Sequence, residues 1–196
     1  MRRGFLVAIF VFAGMICACE NANENTVTTN TNANATLANT NAVAQSTPAR
    51  GVAPKHDDNA FVTNVAMDGM AEVELGRLAA QKAKNPDVKR FAQRMVTDHS
   101  KANAELKQLA SKLGITIPAA PTDAQKAEHD RLAKLSGAEF DREYMSLMTA
   151  GHDKAVSAFE DEAANGSVTD IKQWSAKILP TLKEHQALAK DIAAKL

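Results

Sequence analysis

Cysteine is nearly absent from this chain: there are 2 in 196 residues, Cys17 and Cys19, both in the N-terminal segment. A leader that ends before Cys19 removes Cys17, and a lipid on Cys19 consumes the other thiol. Disulfides, thiol catalysis and cysteine-ligated metals are then excluded, and any metal needs imidazole and carboxylate ligands. Charge of one sign is lacking as well. The 23 Lys and Arg balance 23 Asp and Glu, and losing Arg2 and Arg3 with the leader lowers the basic count to 21, for a mature charge near −2. The basic residues are scattered, so nucleic acid finds no electrostatic footprint. No apolar run is long: Phe5 to Ile16 spans about 12 residues, against roughly 20 for a membrane-crossing helix. No phosphate loop, nucleophile elbow or nucleotide fingerprint occurs, so nothing in the sequence states a reaction.

What is present begins with an exported leader. Arg2 and Arg3 precede the apolar stretch, the build of a secretory signal peptide over residues 1–18. The run Ile16-Cys17-Ala18-Cys19 resembles a bacterial lipobox, with an aliphatic residue, two small ones and the cysteine that receives lipid. The competing readings are an uncleaved anchor, an ordinary signal cut elsewhere, or twin-arginine export through Arg2-Arg3. Lipidation at Cys19 places the protein in the cell envelope with a membrane as its partner through the lipid, and Glu20 after the cysteine favours the outer membrane, facing the periplasm. Residues 19–58 are dominated by Asn, Thr and Ala without apolar periodicity, the composition of a disordered tether. A flexible chain of that length reaches on the order of 35 Å.

Residues 59–196 are rich in Ala, Leu, Lys, Glu and Gln, poor in aromatic and β-branched runs, and without strand-like alternation, which predicts an all-α domain. A first helix follows Asp57-Asp58-Asn59 and stops at Asn85-Pro86. A second, capped by Asn85 with Pro86 in its first turn, ends at Gly114. After a connector holding two prolines, Thr122 and Gln125 have capping-box spacing. That third helix breaks near Ser136-Gly137 and resumes to Asn165-Gly166; a fourth runs from about Val168 to the C-terminus, bent at Pro180. Short connections predict an up-down-up-down four-helix bundle, its C-terminus beside Asn59.

Each apolar stripe carries an ionisable residue. Glu72 lies at the centre of the first, His99 within the second with Asp98 at its edge, Asp141 and His152 on the third beside Tyr144 and Met148, and His185 on the fourth. Counting residues from the shared turns puts Glu72, His99, Asp141 and His185 at one depth, and His152 a turn or more away. Unpaired charges in an apolar core cost several kcal/mol, so these groups must pair with each other or with an ion. Two readings follow: one transition metal (Zn, Fe, Mn or Cu) held by Glu72, His99, Asp141 and His185 with His152 in reserve, or a hydrogen-bonded network that fixes helix register. His129 reads as a surface residue. His56, with Asp57 and Asp58, belongs to the tether, where metal contact is adventitious. Met145 and Met148 read as core, and Gly69 and Gly76 as points of close helix approach.

Phe61, the run Ala71-Glu72-Val73-Glu74-Leu75-Gly76-Arg77-Leu78-Ala79, and Asn85-Pro86-Asp87-Val88 through Val96 with Asp98-His99 resemble a bacterial family of domains of unknown function, the DUF4142 type. Ser136-Gly137-Ala138, Phe140-Asp141, Tyr144, His152 and Leu179-Pro180-Thr181-Leu182 with His185 fit the same pattern. The family's members are described as outer-membrane proteins and grouped with ferritin-like folds, so the resemblance implies an exported, ferritin-like bundle and supplies no activity. Carboxylate di-iron bundles use Glu-x-x-His on two helices; here Val96 and Leu182 stand three residues before His99 and His185. Ferroxidase chemistry therefore lacks its carboxylates. Three functions stand open: a metal-binding envelope lipoprotein, a non-catalytic structural or stress-related envelope module, and a metal-dependent oxidoreductase whose one hint is Tyr144.

Overall fold

The computed structural model describes residues 56–196; residues 1–18, read from the sequence as a leader, Cys19, and the segment read as a tether up to residue 55 lie outside them. Five helices occupy the described residues: α1 (Asp58–Lys82), α2 (Pro86–Leu113), α3 (Asp123–Ala133), α4 (Gly137–Asn165) and α5 (Thr169–Ala193). None is long and apolar enough to cross a membrane. Their ends follow from local chemistry. Asp57 and Asn85 accept backbone N–H bonds from Ala60 and Asp87 at 2.9 and 2.8 Å, satisfying donors that a helix start leaves open. Thr122 and Gln125 form the capping box. Gly114 caps α2 at φ 71°, and Gly137 opens α4 at φ 61°, a backbone conformation that side chains with a Cβ avoid. The interrupted third helix of the sequence reading is thus two helices, parted at Gly137. Pro180 sits inside an otherwise continuous α5.

The up-down-up-down order is corrected. Near the start of α4, Asp141 accepts N–H bonds from Lys84 and Asn85 at 3.1 and 2.7 Å, so α4 begins beside the α1–α2 turn. At the start of α1, Asp58 accepts from Ser167 and Val168 at 3.0 and 2.5 Å, so α5 begins beside the start of α1. Lys112 near the end of α2 pairs with Asp170 of α5 at 2.7 Å. Helix α4 therefore runs parallel to α2, and the order is up, down, down, up. Residues 114–136 must cross the length of the domain, and α3 forms part of that crossing. Gln125 donates to Asp68 of α1 at 2.6 Å, and Lys82 Nζ reaches the Ala133 carbonyl. The C-terminal Leu196 packs on the cluster that contains Leu75 and Ala79, not beside Asn59.

Helices α1 and α2 pack closely along their lengths. A Cβ on Gly76 would stand 2.9 Å from Val96 Cγ2 and 3.1 Å from the Ala92 carbonyl oxygen, so the approach depends on glycine. The interior consists of two apolar clusters. One gathers Leu75, Phe91, Met95, Tyr144, Met148 and Ala189; the other gathers Ala66, Leu106, Val156, Phe159, Trp174 and Leu182. Glu72 of α1, His99 of α2, His152 of α4 and His185 of α5 fall between the two sets. They form a polar layer between the apolar clusters.

Candidate metal centre

Three helices bring one histidine each to that layer. His99, His152 and His185 are 7%, 0% and 1% exposed, and their ring centroids are 5.4–5.8 Å apart. Each ring is oriented by a partner on its outer nitrogen. His99 Nδ1 lies 2.9 Å from Glu72 Oε2, His185 Nε2 lies 2.8 Å from Asp98 Oδ2, and His152 Nδ1 lies 2.9 Å from the Met148 carbonyl. All three partners are acceptors, so each outer nitrogen donates, and in the neutral ring each remaining nitrogen carries a lone pair. Those remaining atoms, His99 Nε2, His152 Nε2 and His185 Nδ1, are buried and have no hydrogen-bond partner among the described residues.

A buried acceptor without a donor costs about 1–3 kcal/mol. Three such nitrogens in one place are the electronic complement of a cation. One nitrogen from each ring lies within 4.8 Å of the others. Atoms so spaced lie within about 2.8 Å of a common centre, against about 2.0–2.1 Å for a metal–imidazole bond. The outer acceptors are the kind that fix ligating histidines and raise their basicity. Glu72 and Asp98 also supply two negative charges, which balance a divalent ion.

The electrostatics sort the three rings. For His99, burial disfavours the imidazolium, but the Glu72 charge and hydrogen bond outweigh it and hold its pKa above the ordinary value. Burial likewise opposes ionisation of Glu72, and the facing His99 overcomes it, leaving that carboxyl below its usual range. Burial wins at His152, which is lowered, and at His185, which falls to about 4 despite the Asp98 bond. Asp98 is itself held by Arg94 Nε at 3.2 Å, and Arg94 reaches Glu184 at 2.5 Å. Phe91 lies against this layer, its ring 6.4 Å from both His152 and His185 and 6.3 Å from Tyr144. A cleft of about 650 Å³, with Phe61, Val65, Trp174 and Ile178 among its walls, reaches His99 and His185 from outside.

Of the residues read from sequence, Glu72, His99 and His185 lie together, with Glu72 behind His99 and outside the triangle of rings. His152, held in reserve, stands in the triangle. Asp141 does not join it: both its oxygens are occupied by the Lys84 and Asn85 amides at the α1–α2 turn. The reason is the direction of α4. His99 lies 14 residues after Asn85 and His152 lies 15 after Gly137, so helices starting at one level bring these two to one depth. Asp98, read as an edge residue, orients His185; its adjacency to His99 and its i, i+4 spacing from Arg94 were the available signals.

The family model described as "Domain of unknown function (DUF4142)" matches residues 27–192. The chain belongs to that family. No curated protein matches it in sequence. Among solved structures, this DUF4142 chain is similar to a DUF305 fragment from Deinococcus radiodurans, with a TM-score of 0.62 at 15% identity over 73% of this chain and 100% of that one. It is also similar to CopM in the Cu(II)-bound form, with a TM-score of 0.61 at 19% identity over 72% and 98%. CopM in a silver-bound form gives 0.58 at 21% over 70% and 94%. At these identities the likeness is one of fold.

Proposed function

We propose that this protein is an exported envelope lipoprotein whose helical domain binds one transition metal through His99, His152 and His185. The observation that carries the reading is the set of three buried imidazole nitrogens without hydrogen-bond partners, each backed by an acceptor on the opposite side of its ring. An all-imidazole set suits copper, zinc, iron or nickel. Copper is the first ion to test, because CopM, similar in fold, is a protein seen with copper and silver. The metal supplies a Lewis-acid or redox-active charge at the centre; the chain's part is to hold three neutral rings, balance charge with Glu72 and Asp98, and leave a cleft for access. Four long helices joined by one long crossover support a ferritin-like reading of the fold. The lipid on Cys19 and a tether that ends before His56, shorter than the 19–58 read from sequence because Asp57 caps α1 and Asp58 begins it, set this domain off a membrane, with the outer membrane as its site.

The second reading, a structural module whose polar layer only fixes register, draws on the Glu72–His99 and Asp98–His185 bonds, each of which joins two helices. Metal analysis separates the two. His99→Ala with His185→Ala should remove one bound transition metal per chain. A chain that is metal-free as purified, with no thermal shift on adding copper, zinc or iron, leaves the structural module standing.

A further inference from the structure

At the opposite end of α1 from its turn with α2, a second group of ligating side chains converges. His56 Nδ1 lies 3.0 Å from Asp58 Oδ1 and 3.2 Å from Glu162 Oε2. Its other nitrogen lies 3.2 Å from Asp161 Oδ2. These residues come from the entry to α1 and from the last turn of α4, which the crossover topology brings together.

Glu162 decides how the group is read. It is 0% exposed, and neither carboxylate oxygen has a hydrogen-bond partner among the described residues. Lys172 of α5, whose charge is felt at Glu162, donates its Nζ to the Ala164 carbonyl at 3.0 Å instead. Gly166 makes room for it: a Cβ there would stand 2.3 Å from Glu162 Oε1. A buried carboxylate left in this state is expensive. An ordinary ion pair does not resolve it, because the single proton on His56 Nδ1 cannot serve both Asp58 Oδ1 and Glu162 Oε2. A cation placed among these three atoms satisfies all of them.

Such an ion would find its ligands already braced. Asp58 is fixed by the Ser167 and Val168 amides at 3.0 and 2.5 Å. Asp161 takes the Nε2–H of His56, turning Nδ1 inward, the same device seen at each histidine of the buried triangle. We infer that His56, Asp58 and Glu162 form a second, independent metal site for a divalent cation. One imidazole and two carboxylates make a harder set than three imidazoles, suited to Zn²⁺ or Mn²⁺ over Cu⁺, and the two acidic ligands neutralise a divalent charge. Because its ligands lie just before α1, on its first residue and on α4, the ion would fasten the start of the domain to the end of α4.

Zn²⁺ binding to the untagged full chain in mild detergent, counted by equilibrium dialysis, tests this. The wild type should hold two equivalents, and Glu162→Gln and His56→Ala should each hold one. His56 is partly exposed and precedes α1, so its substitution leaves the core packing in place if Glu162→Gln folds poorly. Should the histidine triangle bind nothing, the wild type would hold one equivalent and both variants none, which still supports this site. Equal stoichiometry in the wild type and both variants would overturn it.

Discussion

Glu72→Gln probes the centre without emptying it. Glu72 touches no free ring nitrogen; its carboxylate accepts the Nδ1–H of His99 at 2.9 Å and supplies one of two negative charges beside the triangle. Glutamine keeps the shape and an acceptor oxygen but removes the charge. A hydrogen bond to a charged group contributes about 1.5–3 kcal/mol and a neutral one about 0.5–1.5, so the bond alone weakens by about 1 kcal/mol or more. Losing the charge adds to this. Substituting an orienting partner of this kind commonly lowers metal affinity 10–100-fold. We expect a loss in that range for copper or zinc, measured by competition against a chelator of known affinity, with metal stoichiometry unchanged. The pKa of His99 should fall in the metal-free variant, read by NMR titration. An affinity equal to wild type, with the His99 shift present, would refute the claim that the ring binds a metal.

Acidity should act on the metal-free domain with a definite sign. Between about 6.5 and 4 the unfolded chain protonates His152 and His185 while the folded one, with both lowered, resists, so stability falls as pH drops through that window. His99 is raised and opposes this: its contribution is fully present below about 6.5 and is lost as pH climbs through its folded value. Urea denaturation across the window should show a net loss that shrinks in His185→Ala; an unchanged profile would count against the assignment. Asp141→Ala should cost about 2–3 kcal/mol in the same assay, because two amides lose their acceptor, and it should leave metal content untouched. Cys19→Ser should release the protein from membranes; unchanged fractionation would argue against lipidation.

Much of this was readable in the residues because helices obey local rules. Asn85-Pro86, Gly114, the Thr122–Gln125 box and Asn165-Gly166 mark ends that the fold respects. The 3.6-residue period placed Glu72, His99, His152 and His185 on inward faces. Direction was harder. A turn at Asn85 forces antiparallel neighbours, but the segment from Gly114 to Ser136 is long enough either to turn back or to cross, and no local signal chooses. That one ambiguity put Asp141 in the ligand set and His152 outside it. Glu162 continues the stripe of Met148, His152, Ala155 and Phe159 at helical spacing, so its burial was legible. Its meeting with His56 was not, since that depends on the same crossing.

The most direct test of the metal centre is the ligand shell of a bound ion, read by X-ray absorption on the full chain loaded with less than one equivalent of copper. Three imidazole nitrogens, reduced in number by His152→Ala, are the predicted result. A shell dominated by oxygen, or one that His152→Ala does not alter, would contradict the account.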